Sequence, residues 1–218
     1  MVTNSAGYLD LYGYRKRVNA LYRDRDQALK RGESAESVLE RFRRTKDQLF
    51  RSHSQSPIPE QERRSFAGLD YYPYNPAACV PAAVDTAVEQ HDLLIATSGE
   101  GELPMSRVAT LHFAIEGHQA ELSLYWIDVY GGGLFLCFRD ASAPAETYGG
   151  GRYLMDTVKG ADALWLPERG GVRQVMLDFN YAYNPSCAYD YRWACPLAPP
   201  ENRLPFPLRA GEKKPATE

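Results

Sequence analysis

Two amphipathic helices are predicted at the start of the chain. Over residues 6–31, apolar side chains recur at spacings of three and four, which is the period of one helix face. Those that define the face include Tyr8, Leu11, Val18 and Leu21. Gly32 is a natural stop, and Ser34 is placed to cap a second helix, in which the apolar stripe resumes. Its members are Ala35, Val38, Leu39, Phe42 and Leu49.

After a proline-containing breaker at 52–59 and one predicted helical turn at 60–65, the pattern becomes alternating. Residues 109–115 and 120–126 each alternate apolar and less apolar side chains around a Glu116–Gly117–His118 turn, which predicts a β-hairpin. Further short strands are predicted at 93–97, 134–138, 152–155, 163–166 and 172–179. Short strands separated by glycine turns favour an antiparallel β-sandwich or barrel.

The segment from 178 to 212 follows neither period beyond its first few positions. It is rich in Tyr, Asn, Pro and Cys, which predicts an ordered but irregular strap, and the charged tail from Glu212 to Glu218 is predicted to fray. We therefore predict a mainly β (α+β) fold in two parts. Residues 1–62 form an N-terminal helical extension, and residues 63–218 form an antiparallel β-sandwich or barrel-like domain with the C-terminal strap.

Charge and composition narrow the class of protein. The 218 residues carry a net charge of −3, so electrostatics give no case for a nucleic-acid or anionic-membrane partner. The basic run Arg41, Arg43, Arg44, Lys46 is interleaved with acidic residues, which predicts a solvated, salt-bridged helix face. No stretch approaches the ~18 apolar residues of a membrane span, and the first residues do not resemble a secretory signal. We expect a cytoplasmic protein, and self-association through the helices remains open.

A glycine run offers one candidate site. Gly149, Gly150 and Gly151 precede Arg152 and Tyr153. Consecutive glycines let backbone N–H groups converge on an anion, and an arginine can add a bidentate contact. The alternative is a plain hairpin turn. No Gly-Lys-Ser/Thr follows, which excludes a P-loop.

The strap offers a second set of candidates. Its polar side chains are Asp178, Asn180, Tyr183, Asn184, Glu201 and Asn202. Such oxygens suit a metal or a polar ligand, but an irregular segment also needs side chains to satisfy its own backbone. If the protein is an enzyme, Asp178 or Glu201 is the predicted general base, activating a water with or without a divalent ion. The sequence identifies no metal and no cofactor.

Cysteine and histidine give weaker signals. Cys187 and Cys195 lie eight positions apart, and two buried thiols are favoured over a disulfide, with zinc third because a zinc site normally needs two more ligands. A disulfide closing this loop would contribute roughly 2.5 kcal/mol. The histidines are scattered, at 53, 91, 112 and 118, and no G-x-S-x-G motif is present.

Three segments carry a family resemblance. They read SPIPEQERRSFAGLDYYPYNP, TYGGGRYL and DFNYAYNPSCAY…CPLAPPENRL…AGE, and together they cover Ser56 to about Lys213. They resemble the entry segment, the glycine-rich turn and the C-terminal signature of the domain of unknown function 1684 family, found in bacteria and archaea. The resemblance marks the strap as the organising feature and implies no established activity, substrate or cofactor.

Two functional hypotheses follow. The first is a pocket between the strap and the glycine turn that binds a small polar or anionic molecule, with hydrolase-type activity as an extension. It predicts that Arg152, Asp178 and Glu201 converge around a cavity. The second is a non-catalytic protein-interaction module that uses the helices. It predicts an exposed apolar patch on the helices, formed by Tyr8, Leu11, Val38 and Phe42.

Overall fold

The computed structural model describes residues 5–89 and 92–215. Two helices come first, α1 (Ser5–Lys30) and α2 (Ala35–Ser52), which confirms both predicted helices. Ser34 occupies the N-cap position of α2 but makes no side-chain capping hydrogen bond, so that part of the prediction is wrong. The link between the helices is instead held by Glu33, whose carboxylate accepts hydrogen bonds from Arg31 and Arg41.

Eight strands follow the helices. They are β1 (Cys79–Asp85), β2 (Asp92–Ala96), β3 (Glu102–Ile115), β4 (His118–Ile127), β5 (Gly133–Phe138), β6 (Arg152–Asp156), β7 (Leu164–Arg169) and β8 (Val172–Asp178). The strand order is β6-β5-β4-β3-β1-β8-β7, with β2 paired to β3, and the pairings between strands are antiparallel. The sheet curls into a half-barrel, which confirms the mainly β prediction and its barrel-like form.

The β3–β4 hairpin turns as its sequence predicts. Glu116 and Gly117 have φ values of 48° and 83°, and Ile115 pairs with His118. Positive φ at both central residues is the requirement of a type I′ turn, whose twist matches that of the strands.

Strand β1 is the one that the sequence pattern missed. Its sequence CVPAAVD contains Pro81 and two alanines, which weakens any strand signal. The registered pairs with β3 run only from Ala83 to Asp85, whereas Pro81 lies opposite Met176 of β8. Proline has no N–H to donate, so it is tolerated in a strand where one side has no neighbouring strand to bond, as at Pro81 on the β3 side.

The strap contributes directly to the core. Leu204, Phe206, Leu208 and Ala210 are buried and the residues between them are exposed. They pack in the main hydrophobic cluster with sheet residues such as Leu111 and Leu122. The last part of the strap therefore has a period of two, which its prolines concealed.

The helices pack against the β domain through a separate cluster. It joins Tyr22 of α1, Leu39 and Phe42 of α2, and Ala161 and Tyr181 of the β domain. Phe42 meets the rings of Tyr22 and Tyr181 edge to face, at centroid distances of 5.1 and 4.9 Å. The boundary at residue 62 stays a prediction, and one apolar cluster spans it.

Candidate ligand-binding site

Arg152, the predicted anion contact, is the anchor of the strap. Its side chain is 1% exposed, and its guanidinium donates to the main-chain oxygens of Leu208, Ala210 and Glu212 and to the carboxylate of Asp140. The Asp140 bond is 2.8 Å long, and Asp140 Oδ1 also accepts from the Leu208 N–H. The guanidinium N–H groups that were expected to bind a ligand therefore bind the protein's own main chain and Asp140 instead.

The glycine turn packs against the strap as well. Gly150 O accepts from the N–H of Ala198 at 3.0 Å. Gly151 has a φ of 95°, and a Cβ there would lie 2.7 Å from both Phe138 O and Ala198 Cβ. Glycine is required at this position by conformation and by space. The main chain of Tyr153, just beyond the turn, pairs with Tyr183 of the strap at 2.8 and 3.0 Å.

Two predicted ligand-binding asparagines satisfy backbone groups. Asn180 accepts from the N–H of Asn75 at 2.9 Å and donates to its carbonyl at 2.8 Å. Asn202 is fully buried, and it bonds both the N–H and the carbonyl of Ser123 and the carbonyl of Cys137. Both side chains act as backbone surrogates where the strap meets other segments, which is the alternative that the sequence left open.

The two predicted catalytic carboxylates lie in different surroundings. Asp178 ends β8, accepts from the N–H and side-chain amide of Asn180, and burial raises the pKa of its carboxyl. Glu201 is exposed and accepts the Tyr125 hydroxyl at 2.8 Å. In the described part of the chain, neither has Arg152 among its hydrogen-bond or ion-pair partners, and the convergence of the three side chains around a cavity stays a prediction.

Lys46 and Glu212, which were predicted to be exposed to solvent, form a buried ion pair. Lys46 of α2 donates to the carboxylate of Glu212, which is 1% exposed. The other Glu212 oxygen accepts from the Asn184 N–H at 2.7 Å and the Tyr189 hydroxyl at 2.9 Å. The predictions of a solvated helix face at Lys46 and of fraying at Glu212 are therefore wrong. Lys46 lies four residues after Phe42 on the apolar stripe of α2, and that spacing was the available signal.

A cavity of about 60 Å³ lies between the helices and the strap, and Lys46 of this ion pair is part of its wall. Its wall is formed by Tyr14, Val18, Leu21, Tyr22, Phe42, Lys46, Leu49, Phe50, Tyr153, Lys159, Ala161, Tyr183, Asn184, Pro185 and Ser186. The wall is mainly apolar, and six of its fifteen residues are aromatic. Burial raises the pKa of Tyr14, Tyr22 and Tyr183, so these phenols remain protonated at neutral pH.

Both lysines of the cavity have acidic partners. Lys46 pairs with Glu212, as described above, and Lys159 Nζ lies 3.3 Å from Asp156 Oδ2. Burial opposes the charge on Lys159, but Asp156 and Cys195 together more than offset this effect, and the pKa of Lys159 is raised. The positive charges in the wall are therefore balanced within the protein.

Asn184 presents an unsatisfied acceptor. Its Nδ2 donates to Lys213 O at 2.7 Å and to the Tyr189 hydroxyl at 3.3 Å, and a carbonyl partner fixes which end of the amide is the donor. Its Oδ1 is buried and has no hydrogen-bond partner among the described residues. Buried polar atoms are nearly always paired, and Asn184 is one of the residues that line the cavity.

A second cavity of about 160 Å³ lies beside Asp178. Arg25, Cys79 and Leu154 are among its other wall residues, together with Tyr181, whose buried hydroxyl has no partner in the described part of the chain. Leu154 belongs to edge strand β6, and Leu164 in the same wall belongs to edge strand β7. This cavity therefore occupies the space between the two edges of the half-barrel.

Comparison with known proteins identifies the family. A family model described as "Protein of unknown function (DUF1684)" matches residues 64–213. The chain belongs to the DUF1684 family. It is similar to an uncharacterised protein of the archaeon Haloarcula marismortui, whose solution NMR structure superposes with a TM-score of 0.59 at 30% identity, covering 84% of this chain and 96% of that one. No curated protein matches the chain.

The DUF1684 segment builds only part of the first cavity. It supplies Tyr153, Lys159, Tyr183 and Asn184, whereas the helices that precede residue 64 supply Lys46 and most of the apolar wall. The site is thus assembled from both predicted parts of the chain.

The surface predicted for protein interaction is divided. Tyr8 and Tyr12 on α1 are 63% and 62% exposed, and Leu9 lies between them, but Val38 and Phe42 of α2 are buried. The apolar face of α2 is therefore used within the DUF1684 protein, and among the described residues of the two helices the large exposed apolar side chains lie near the start of α1.

Metal and membrane signals are weak in the described segments. Within 5–89 and 92–215, no three His, Cys, Asp or Glu side chains are grouped so as to hold a metal ion. His91 lies outside these segments. In the same residues, no helix has the length and apolar character needed to cross a bilayer. All four cysteines are free thiols.

Proposed function

We propose that this DUF1684 protein binds a small neutral molecule, with an apolar body and one hydrogen-bond donor, in the cavity between the helices and the strap. The observation that carries the proposal is the unpaired Oδ1 of Asn184, a residue of the mainly apolar cavity wall. An acceptor buried without a partner costs about 1–3 kcal/mol. A ligand N–H or O–H at this position would remove that cost.

The charges favour a neutral ligand over an anion. The ammonium groups of Lys46 and Lys159 already face Glu212 and Asp156. An added carboxylate would compete with these partners and would have to be desolvated in an aromatic cavity. The sequence predicted a small polar or anionic ligand between the glycine turn and the strap. We retain the polar ligand, but we place it between the helices and the strap.

The volume sets the size of the ligand. A water needs roughly 10–15 Å³, so a cavity of about 60 Å³ has room for a small ring but not for a drug-sized molecule. The occupant is therefore a small heterocycle, alcohol or amide, or the donor-bearing end of a larger molecule. The proposal is one of binding. The role of Asp178 as a general base stays a prediction, and its carboxylate lines the second cavity.

Pyrrole and furan provide a matched pair of probes. Both are five-membered aromatic rings of the same size, but only pyrrole carries an N–H donor. We expect calorimetric titration to show saturable binding of pyrrole and at least tenfold weaker binding of furan, because a missing hydrogen bond to a buried acceptor costs about 1.4 kcal/mol or more.

Two alanine variants provide the control. Ala161 lines the first cavity and Ala163 the second, so Ala161→Val fills the proposed site and Ala163→Val makes the same chemical change nearby. We expect Ala161→Val to abolish pyrrole binding and Ala163→Val to retain it. Equal binding of pyrrole and furan, or equal binding by the two variants, would contradict the proposal.

A further inference from the structure

Two thiols of the strap meet beside the glycine-rich turn, and neither lines the proposed ligand cavity. Cys187 lies in the short turn Ser186–Ala188 and is half-buried, whereas Cys195 is buried, and both are free. The Tyr148 hydroxyl lies 3.6 Å from Cys187 Sγ. The Cys195 thiol is a hydrogen-bonding neighbour of the same sulfur.

Cys195 is held in place by the loop that follows β2. Its N–H donates to Ser98 Oγ at 3.0 Å, and the Ser98 N–H donates to its carbonyl at 2.8 Å. This two-way bond ties the main chain of Cys195 to Ser98, whose side chain is also a hydrogen-bonding neighbour of Cys187.

The glycine turn gives Tyr148 room to reach the thiols. A Cβ on Gly150 would lie 2.6 Å from Cε1 of the Tyr148 ring and 2.9 Å from Leu197 Cδ2. Real Cβ atoms do not approach that closely, so a side chain at this position would displace the ring. The glycine turn was predicted to bind an anion. In the structure it instead leaves space for the Tyr148 ring, whose hydroxyl contacts Cys187.

The hydrogen bonds distinguish the two sulfurs. The hydrogen bond from Cys195, opposed by burial, lowers the pKa of Cys187 to about 6. Its hydrogen bond to Cys187, together with burial, raises the pKa of Cys195. These opposite shifts favour the thiolate, which is the nucleophilic form, at the less buried Cys187 and the thiol at Cys195.

We propose that Cys187 and Cys195 form a redox-active dithiol site that reacts with low-molecular-weight disulfides, with Cys187 as the attacking sulfur and Cys195 as the resolving one. The Cys187 thiolate attacks RSSR, forms a mixed disulfide and releases RS⁻. Cys195 then gives its proton to solvent and attacks the Cys187 sulfur, which displaces the second RS⁻. One RSSR is reduced to two RSH, and the two cysteines are oxidised to one disulfide.

One neighbour assists the second step. Cys195 must lose its proton to attack, and the Lys159 ammonium lowers the pKa of its thiol, although the hydrogen bond to Cys187 and burial raise that pKa overall. Cys79 is a contrasting thiol, because burial and Asp178 raise its pKa to about 12. We therefore expect Cys79 to take no part in the reaction.

The test uses the full chain and the aromatic disulfide 5,5′-dithiobis(2-nitrobenzoic acid). We expect a fast phase that releases two equivalents of the coloured thiolate per chain and leaves a protein that carries no adduct. Peptide mapping without reduction should find Cys187 joined to Cys195. The rate of the fast phase should rise with pH around a midpoint of about 6, whereas an ordinary thiol gives ~8.5.

Single variants separate the two roles. Cys195→Ser is expected to release one equivalent and to retain the adduct on Cys187, while Cys187→Ser loses the fast phase and Cys79→Ser leaves it unchanged. A wild-type fast phase with a midpoint near ~8.5, or a product in which each thiol carries its own adduct, would overturn the proposal. Both readouts come from the wild-type protein, so they decide the matter even if a variant fails to fold.

Discussion

The carboxylate of Glu212 accepts hydrogen bonds from the Lys46 ammonium, the Asn184 main chain and the Tyr189 hydroxyl while remaining 1% exposed. Lys46 and Glu212 are 166 positions apart in sequence. Their ion pair connects α2 to the end of the strap next to the ligand cavity. The buried charges are compensated locally, which is the condition under which a buried ion pair is tolerated.

Removing this carboxylate's charge should be costly. Glu212→Gln keeps the shape of the side chain but leaves the buried Lys46 ammonium without an anion, and we expect the free energy of unfolding in urea to fall by about 3 kcal/mol. Glu40→Gln is the matched control on α2, because Glu40 pairs with Arg44 at 3.7 Å with both side chains exposed. It should change stability by less than about 0.5 kcal/mol. Equal effects of the two variants would show that the buried pair is not a principal contact.

At the scale of the element, the strap explains why part of the site escaped sequence analysis. The absence of long helices and strands in it was predicted correctly from its Tyr, Asn, Pro and Cys content, although the alternating burial from Leu204 to Ala210 was not. The alternative role of its asparagines in satisfying backbone groups was also predicted. What the pattern did not reveal was the partner of each side chain. Arg152 bonds strap carbonyls 56 to 60 positions away, and no local spacing encodes such contacts.

Arg152 should determine how firmly the end of the strap is held. In Arg152→Lys, a single ammonium group takes the place of the planar guanidinium that bonds four partners, so hydrogen bonds to the strap are lost. We expect the amides of Leu208 and Glu212, which are bonded to Asp140 and Ala182, to exchange with deuterium at least tenfold faster. Arg203→Lys makes the same change at an exposed position of the strap and should have no such effect. Unchanged protection in Arg152→Lys would contradict this account of the strap.

At the scale of the whole molecule, local patterns determined much of the fold. Both helices, the β3–β4 hairpin and the positions of most other strands were predictable because helical and alternating periods are properties of neighbouring residues. Strand β1 was hidden by Pro81 and its alanines. The cavity was not predictable, because it forms only where the helices, β6 and the strap meet, and its polar atoms come from segments far apart in sequence.

The central claim is that Asn184 Oδ1 accepts a hydrogen bond from a small ligand in this cavity. The most direct measurement is a pyrrole titration of the full chain, followed by NMR at the side-chain amide of Asn184. The account predicts a saturable shift with pyrrole, a much weaker one with furan, and none in Ala161→Val. An Asn184 amide that does not respond to pyrrole, or responds equally when Ala161→Val fills the cavity, would contradict it.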